Sequence, residues 1–195
     1  MTSAGQALAH APQLRVVLVP HEIDPPHLAA LERTFAAYPG VRYSALRAAQ
    51  GVVPRWRVLL VDAVGVLSAL YAHAALAYVG GAFTTGVHNV MEPAAMGVPP
   101  IFGPLHHNAP EALHLVAAGA AFAVADAADF RRCLFALLDD PPRARALGAR
   151  ARAYVESQGG AAERACAAIR AALAPPPGAG AGALAAGGKA GRGTP

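Results

Sequence analysis

Residues 79–104 read VGGAFTTGVHNVMEPAAMGVPPIFGP, and the polar residues among them form a set suited to holding an anion beside a sugar. A helix beginning near Asn89 presents unpaired backbone N–H groups and the positive end of its dipole, which suits a phosphate or a carboxylate. His88 or Asn89 can cap that helix. Gly80, Gly81 and Gly86 permit backbone dihedrals or close approaches that a side chain blocks, and the same glycines also suit an ordinary turn. Glu92 lies one turn into the helix, where its carboxylate can accept two hydrogen bonds from vicinal hydroxyls while backbone N–H groups hold the neighbouring phosphate. That division of labour fits a ribose nucleotide. A capping glutamate at the third helical position needs no ligand, and the pattern alone leaves both roles open.

Two further polar clusters follow strand-like runs: His21-Glu22 after Pro20, and Asp62 after RVLLVD. A histidine offers some charge near neutral pH, and more beside a phosphate or carboxylate. His21 is also compatible with a plain loop, and Asp62 with a place in a helix-cap region. His106 and His107 can reach the same cleft, but together with His88 they lack helical metal-ligand spacing. No Ser-His-Asp order, phosphate-loop lysine pattern or pair of catalytic carboxylates can be assembled. Cys133 and Cys166 fall in helix-like segments without ligand spacing and read as packing residues.

These clusters need a scaffold that brings them to one rim. LRVVLV at 14–19 is β-branched and ends at a proline, which suits a buried strand; PPHLAALERTFAAYP follows as a helix with Asp24 as N-cap. VRYSAL and RVLLVD are strand candidates, VGVLSALYAHA at 64–74 a helix, and AALAYVGG at 74–81 another strand. NVMEPAAMG forms a short helix closed by Gly97, VPPIFGP a strand, and APEALHLVAAG with AAFAVA one more helix and strand. Such alternation predicts an α/β fold: a Rossmann-like, three-layer arrangement with one parallel sheet covered on both faces. Ligands in such sheets bind beyond the carboxyl ends of the strands. Residues 1–13 read as a leader, 14–174 as the folded domain with C-terminal helices, and 175–195, rich in Pro, Gly and Ala, as a disordered tail.

Bulk composition narrows the rest. With 195 residues, 55% hydrophobic and 14% charged, the chain can bury one sizeable core. Its formal charge of +4 suits an anionic substrate or anionic lipid without choosing between them. No basic stripe alternates with aromatics, which speaks against nucleic acid. No run reaches the ~18–20 apolar residues of a membrane-spanning helix, and the N-terminus lacks the basic start of a secretory signal.

VPHEID (19–24), VLLVDAVGVLSALYAHAALAYVGGAF (58–83), GVHNVMEPAAMGVPPIFGP (86–104) and NAPEAL (108–113) together resemble the C-terminal half of the 3-deoxy-D-manno-octulosonic acid (Kdo) transferases, over about residues 14–172. The HN..EP element alone recurs loosely in other two-Rossmann-domain (GT-B) glycosyltransferases. The resemblance implies the C-terminal domain of a GT-B enzyme of lipopolysaccharide biosynthesis. Such an enzyme moves Kdo from CMP-Kdo to the lipid A precursor lipid IVA, with inversion and without a metal or other cofactor. It implies a peripheral place on the cytoplasmic side of the inner membrane. Carried onto this chain, Glu92 would bind the cytidine ribose, Gly86, His88 and Asn89 would shape the phosphate end of the helix, and His21 would line the cleft near the donor. Asn108 and Glu111 match the polar stretch after the GP turn and would touch the sugar acid.

The chain departs from the family at Gly86-Val87, where two glycines are common, at Pro100, and at Ala109, where an aromatic is more usual. In the family the general base and the lipid A surface belong to an N-terminal domain, and residues 1–13 cannot replace it. The expectation is therefore a donor-binding fragment that reaches lipid A only through a missing domain and is inactive alone. The alternatives are a non-catalytic nucleotide-binding or interaction module, or the corresponding half of a transferase for another nucleotide sugar.

Overall fold

The computed structural model describes residues 2–49 and 54–173. Thr2 accepts the Gly5 N–H and so starts a helix, α1 (Ser3–His10), in the stretch expected to be only a leader. Strand β1 (Val16–Leu18) follows, then α2 (Pro25–Thr34), whose first turn carries two prolines and whose Asp24 cap accepts the His27 N–H as the sequence predicts. The chain continues through β2 (Gly40–Arg42), α3 (Tyr43–Ala48), β3 (Val58–Leu60), α4 (Leu67–Tyr71), β4 (Ala77–Val79) and α5 (Met91–Ala95). Strand β5 (Pro100–Phe102), α6 (Pro110–Ala117), β6 (Phe122–Ala123), α7 (Ala127–Leu138) and α8 (Pro141–Ser157) complete it.

Among the described residues all pairings are parallel, as expected of alternating strands and helices, but they form two sheets of three strands, β1-β3-β2 and β4-β5-β6, where one was predicted. VRYSAL is strand only to Arg42; Tyr43 to Ala48 turn helical, because Asp62 captures the Ser44 N–H and hydroxyl and bends the chain away from β3. The helix expected over 64–74 shortens to α4, since Gly65 at φ 82 delays its start.

Among the described residues three apolar clusters make the core. One gathers Val79, Val90, Phe102, Ala112 and Leu115 around β4, α5, β5 and α6. A second joins Ile101, Val124, Leu137 and Leu147 under α7 and α8. The third, Leu8, Phe35 and Val58, serves the first sheet. Arg57 ties α1 to that sheet by donating to the carbonyls of Leu8, Ala11 and Leu14, which satisfies the open end of the helix. Gly148 lets α8 press onto the turn after α5: a Cβ there would strike the Gly97 carbonyl.

Helix α9 (Ala161–Leu173) belongs to a separate unit beginning at Gln158, so the single folded domain expected over 14–174 ends as one body at Ser157. The tail expected at 175–195 lies outside the described residues. Cys133 packs half-buried against the second cluster, and burial pushes its thiol up to about 11; Cys166 is exposed on α9 and is not a packing residue.

Candidate functional site

The loop between β4 and α5 is fastened from inside. The Gly81 carbonyl accepts the N–H groups of Thr84, Thr85 and Gly86, and His88 N–H donates to Gly80. Gly81 at φ 87 is required here, because a Cβ would stand 2.6 Å from the His88 ring and strike the Gly86 carbonyl. Gly80 has open space around it. Gly86, at φ 118, gives way to Asn108, whose amide would lie 2.8 Å from any Cβ.

Asn108 and Asn89 each have a local task. The Asn108 amide accepts the Val87 N–H at 3.2 Å and donates to the Val87 carbonyl at 3.1 Å, clamping the loop to the stretch after β5. The Asn89 side-chain oxygen accepts the N–H groups of Met91 and Glu92, and its NH2 donates to the Glu92 carboxylate at 2.9 Å. Two of the N–H groups expected to meet a phosphate are thus already taken. One Glu92 oxygen is held and the other carries no partner among the described residues. Asn89 thus caps the first turn and aims the carboxylate while leaving it an open oxygen.

His21, from the loop after β1, lies with its ring centroid 5.6 Å from that of His88, so residues 67 positions apart meet at one rim. Both are exposed, as is Asn89, while Glu92 and Glu111 are partly exposed. Glu111 opens the first turn of α6, and His106 is held by Phe102, whose ring lies tilted 5.2 Å away, and by a hydrogen bond with the Gly103 carbonyl. Asp62 does not join this group. Partial burial raises its pKa, but the Ser44 hydrogen bonds outweigh that and hold it below the ordinary 3.8.

Two residues that sequence reasoning passed over belong here. Tyr71, at the end of α4, is held up by burial and by the Glu92 charge, which places its phenol within electrostatic reach of that carboxylate. Phe83 is 46% exposed, and its ring covers Gly103, where a Cβ would be 2.7 Å away. The signal for Phe83 was an aromatic in a polar, glycine-bounded loop; nothing in the pattern singled out Tyr71. Glu22, Asp24 and His27 bring ligand-type atoms within 4.8 Å of one another, but all three are exposed and Asp24 is spent partly on capping α2.

No protein-family model matches the chain. In sequence it is similar to the 3-deoxy-D-manno-octulosonic acid transferase of Bordetella pertussis, 34% identical over 158 residues, which cover 80% of this chain and 36% of that protein. The enzyme of the same name from Chlamydia muridarum is 33% identical over 52% of this chain and 24% of its own length. The chain thus spans about a third, or less, of the curated relatives it matches. In three dimensions it resembles the C-terminal CMP-Kdo binding domain of WaaA from Acinetobacter baumannii, with TM-score 0.64 and 23% identity over 76% of this chain and 77% of that one. It also resembles a sucrose-phosphate synthase from Thermosynechococcus elongatus, with TM-score 0.54 and 19% identity over 86% of this chain and 42% of that one. At those identities the two structures establish the fold, a Rossmann-like α/β fold of the GT-B kind. The sequence matches and the HN..EP loop on that fold identify the chain as a member of the 3-deoxy-D-manno-octulosonic acid transferase family.

Proposed function

We propose that this chain is the donor-binding part of a Kdo transferase and holds CMP-Kdo at the rim formed by the loops after β1, β4 and β5. The observation that carries the reading is the Glu92 carboxylate, aimed by Asn89 and left with an open oxygen, on the loop whose His88 ring meets that of His21. Glu92 accepts the ribose hydroxyls. His88, Asn89 and His21 offer N–H donors to the phosphate, with Gly86 admitting the Asn108 amide that fixes the loop. Glu111 faces the sugar acid, while Asn108 contributes chiefly by clamping Val87.

In this reading the chain supplies binding and orientation, and a further domain supplies the general base and the lipid A precursor. The same rim exposes Val19, Ile23, Phe83 and Leu105, each after a strand end, which supports a second surface closing on it. No helix among the described residues is long and apolar enough to cross a membrane. Contact with the cytoplasmic face of the inner membrane is then peripheral, as the family suggests.

Calorimetric titration with CMP, UDP and GDP tests the proposal. Heat of binding is expected from CMP and not from the other two, and no Kdo transfer is expected from the chain alone. Preference for UDP or GDP would assign the rim to another nucleotide sugar, and silence with all three would leave a non-binding interaction module.

A further inference from the structure

Helix α8 carries four arginines, Arg143, Arg145, Arg150 and Arg152. Arg152 donates to Glu156 at 3.1 Å, but among the described residues the side chains of Arg143, Arg145 and Arg150 have no acidic partner. Asp140 accepts only the backbone N–H of Arg143. These guanidiniums contribute nothing to the seating of α8, which is held from its other side by Ala144, Leu147, Gly148 and Ala151.

Two of the three frame a groove. A hollow of about 350 Å³ is lined on α8 by Arg143, Ala146, Leu147 and Arg150, and beyond them by Phe122 and the turn at Gly119 that enters β6. The four α8 positions stand at i, i+3, i+4 and i+7, the diamond that receives one side chain of a facing helix in knobs-into-holes packing. Its far corners, about 10 Å apart along the axis, are the two arginines, and its middle is apolar. A facing helix with an apolar side chain in the hollow has its residues one turn to either side, about 5 Å away, opposite those arginines. Carboxylates there would pair with both.

Charge and position choose among the occupants. A second copy of this chain would set arginine against arginine. Residues 174–195 contain no Asp or Glu and carry Lys189 and Arg192. A bilayer would find no large apolar side chain to take up, because Ala146, Ala149 and Ala153 occupy the exposed face between the arginines. The groove also lies by the turns that enter β5 and β6, where Gly148 meets Gly97, whereas the proposed nucleotide rim lies beyond the other ends of the strands.

We propose that this face of α8 docks an acidic amphipathic helix of another polypeptide. One apolar side chain of that helix seats between Ala146, Leu147 and Phe122, and carboxylates on either side of it pair with Arg143 and Arg150. The inference is independent of which nucleotide the rim holds.

Fluorescence anisotropy on the whole chain tests it, with a labelled synthetic helix that has leucine along one face and glutamate on both borders of that face. Saturable binding is expected, and none from the same peptide with lysine in place of glutamate. Arg143→Ala/Arg150→Ala should weaken binding by about tenfold or more. Ala146→Trp fills the hollow from an exposed position without changing the charge, and should weaken it to a similar degree. Arg47→Ala/Arg55→Ala removes the same charge from exposed positions elsewhere and should leave it unchanged. Failure of the glutamate peptide to bind would overturn the proposal, and retention on phosphatidylglycerol vesicles in its place would assign the arginines to lipid. Equal losses in the two double variants, or full binding by Ala146→Trp, would also overturn it, leaving only attraction between net charges.

Discussion

The two sheets of this molecule treat the ends of their strands differently. Beyond β4 and β5 the chain is knotted to itself: Gly81 accepts three N–H groups, Asn108 clamps Val87, and Leu105 N–H donates to Ala82 while its carbonyl accepts from Val87. Beyond β3 the corresponding loop holds Val64 at 85% exposure and Gly65 without a neighbour, and Asp62 turns back to serve Ser44. The first rim is held fixed by many hydrogen bonds and can preserve a geometry for a ligand; the second secures a bend in the backbone. The proposed binding site therefore belongs to the second sheet, with His21 as the first sheet's contribution.

Substitutions that separate the two rims give the sharpest tests. Gly81→Ala should be the most damaging, destabilising by about 2–4 kcal/mol through a positive φ and a clash with His88. CMP binding should fall by more than about 100-fold as that ring is displaced. Denaturant melts and calorimetry read the two effects. Gly148→Ala forces α8 off the turn at Gly97 and should cost about 2–3 kcal/mol while leaving CMP affinity unchanged at a temperature where the variant is folded. Equal losses of affinity in both variants would mean that the rim responds only to global stability.

Asn108→Ala leaves the Val87 peptide without its two side-chain partners and should cost about 1–3 kcal/mol, with a roughly tenfold weaker CMP complex. If Asn108 touched the sugar acid and did not clamp the loop, affinity for a CMP-linked sugar acid would drop without any change in melting. The smallest effect belongs to the other rim. Asp62 has a lowered pKa, so its contribution is present above its unfolded value and is lost as pH falls through the lower folded value. Asp62→Asn should therefore flatten the acid limb of stability below about pH 4, and leave CMP binding at neutral pH untouched.

Much of this was legible in the residues. Asp24 ahead of two prolines announced α2, and Gly97 at φ 73 closed α5 where the pattern placed it. The loop from Gly80 to Glu92 was found because its polar residues interrupt an apolar sequence. What stayed hidden depended on contacts distant in sequence. The bend at Tyr43 needs Asp62, the role of Asn108 needs Val87, and the meeting of His21 with His88 needs two strand ends brought together. The helix α1 was missed because what holds it is distant in sequence: Leu8 packs with Phe35 and Val58, and Arg57 takes up its last carbonyls. The division into two sheets could not be read from alternation, which fixes that strands are parallel but not which ones pair.

The role of Glu92 is tested most directly by titrating CMP and 2′-deoxycytidine monophosphate into the native chain and into Glu92→Ala. The native chain should prefer CMP by about tenfold, the value of one hydrogen bond to a charged group, and the variant should bind both nucleotides equally. A preference for CMP that survives in Glu92→Ala would contradict the account, leaving that carboxylate as no more than a partner of Asn89.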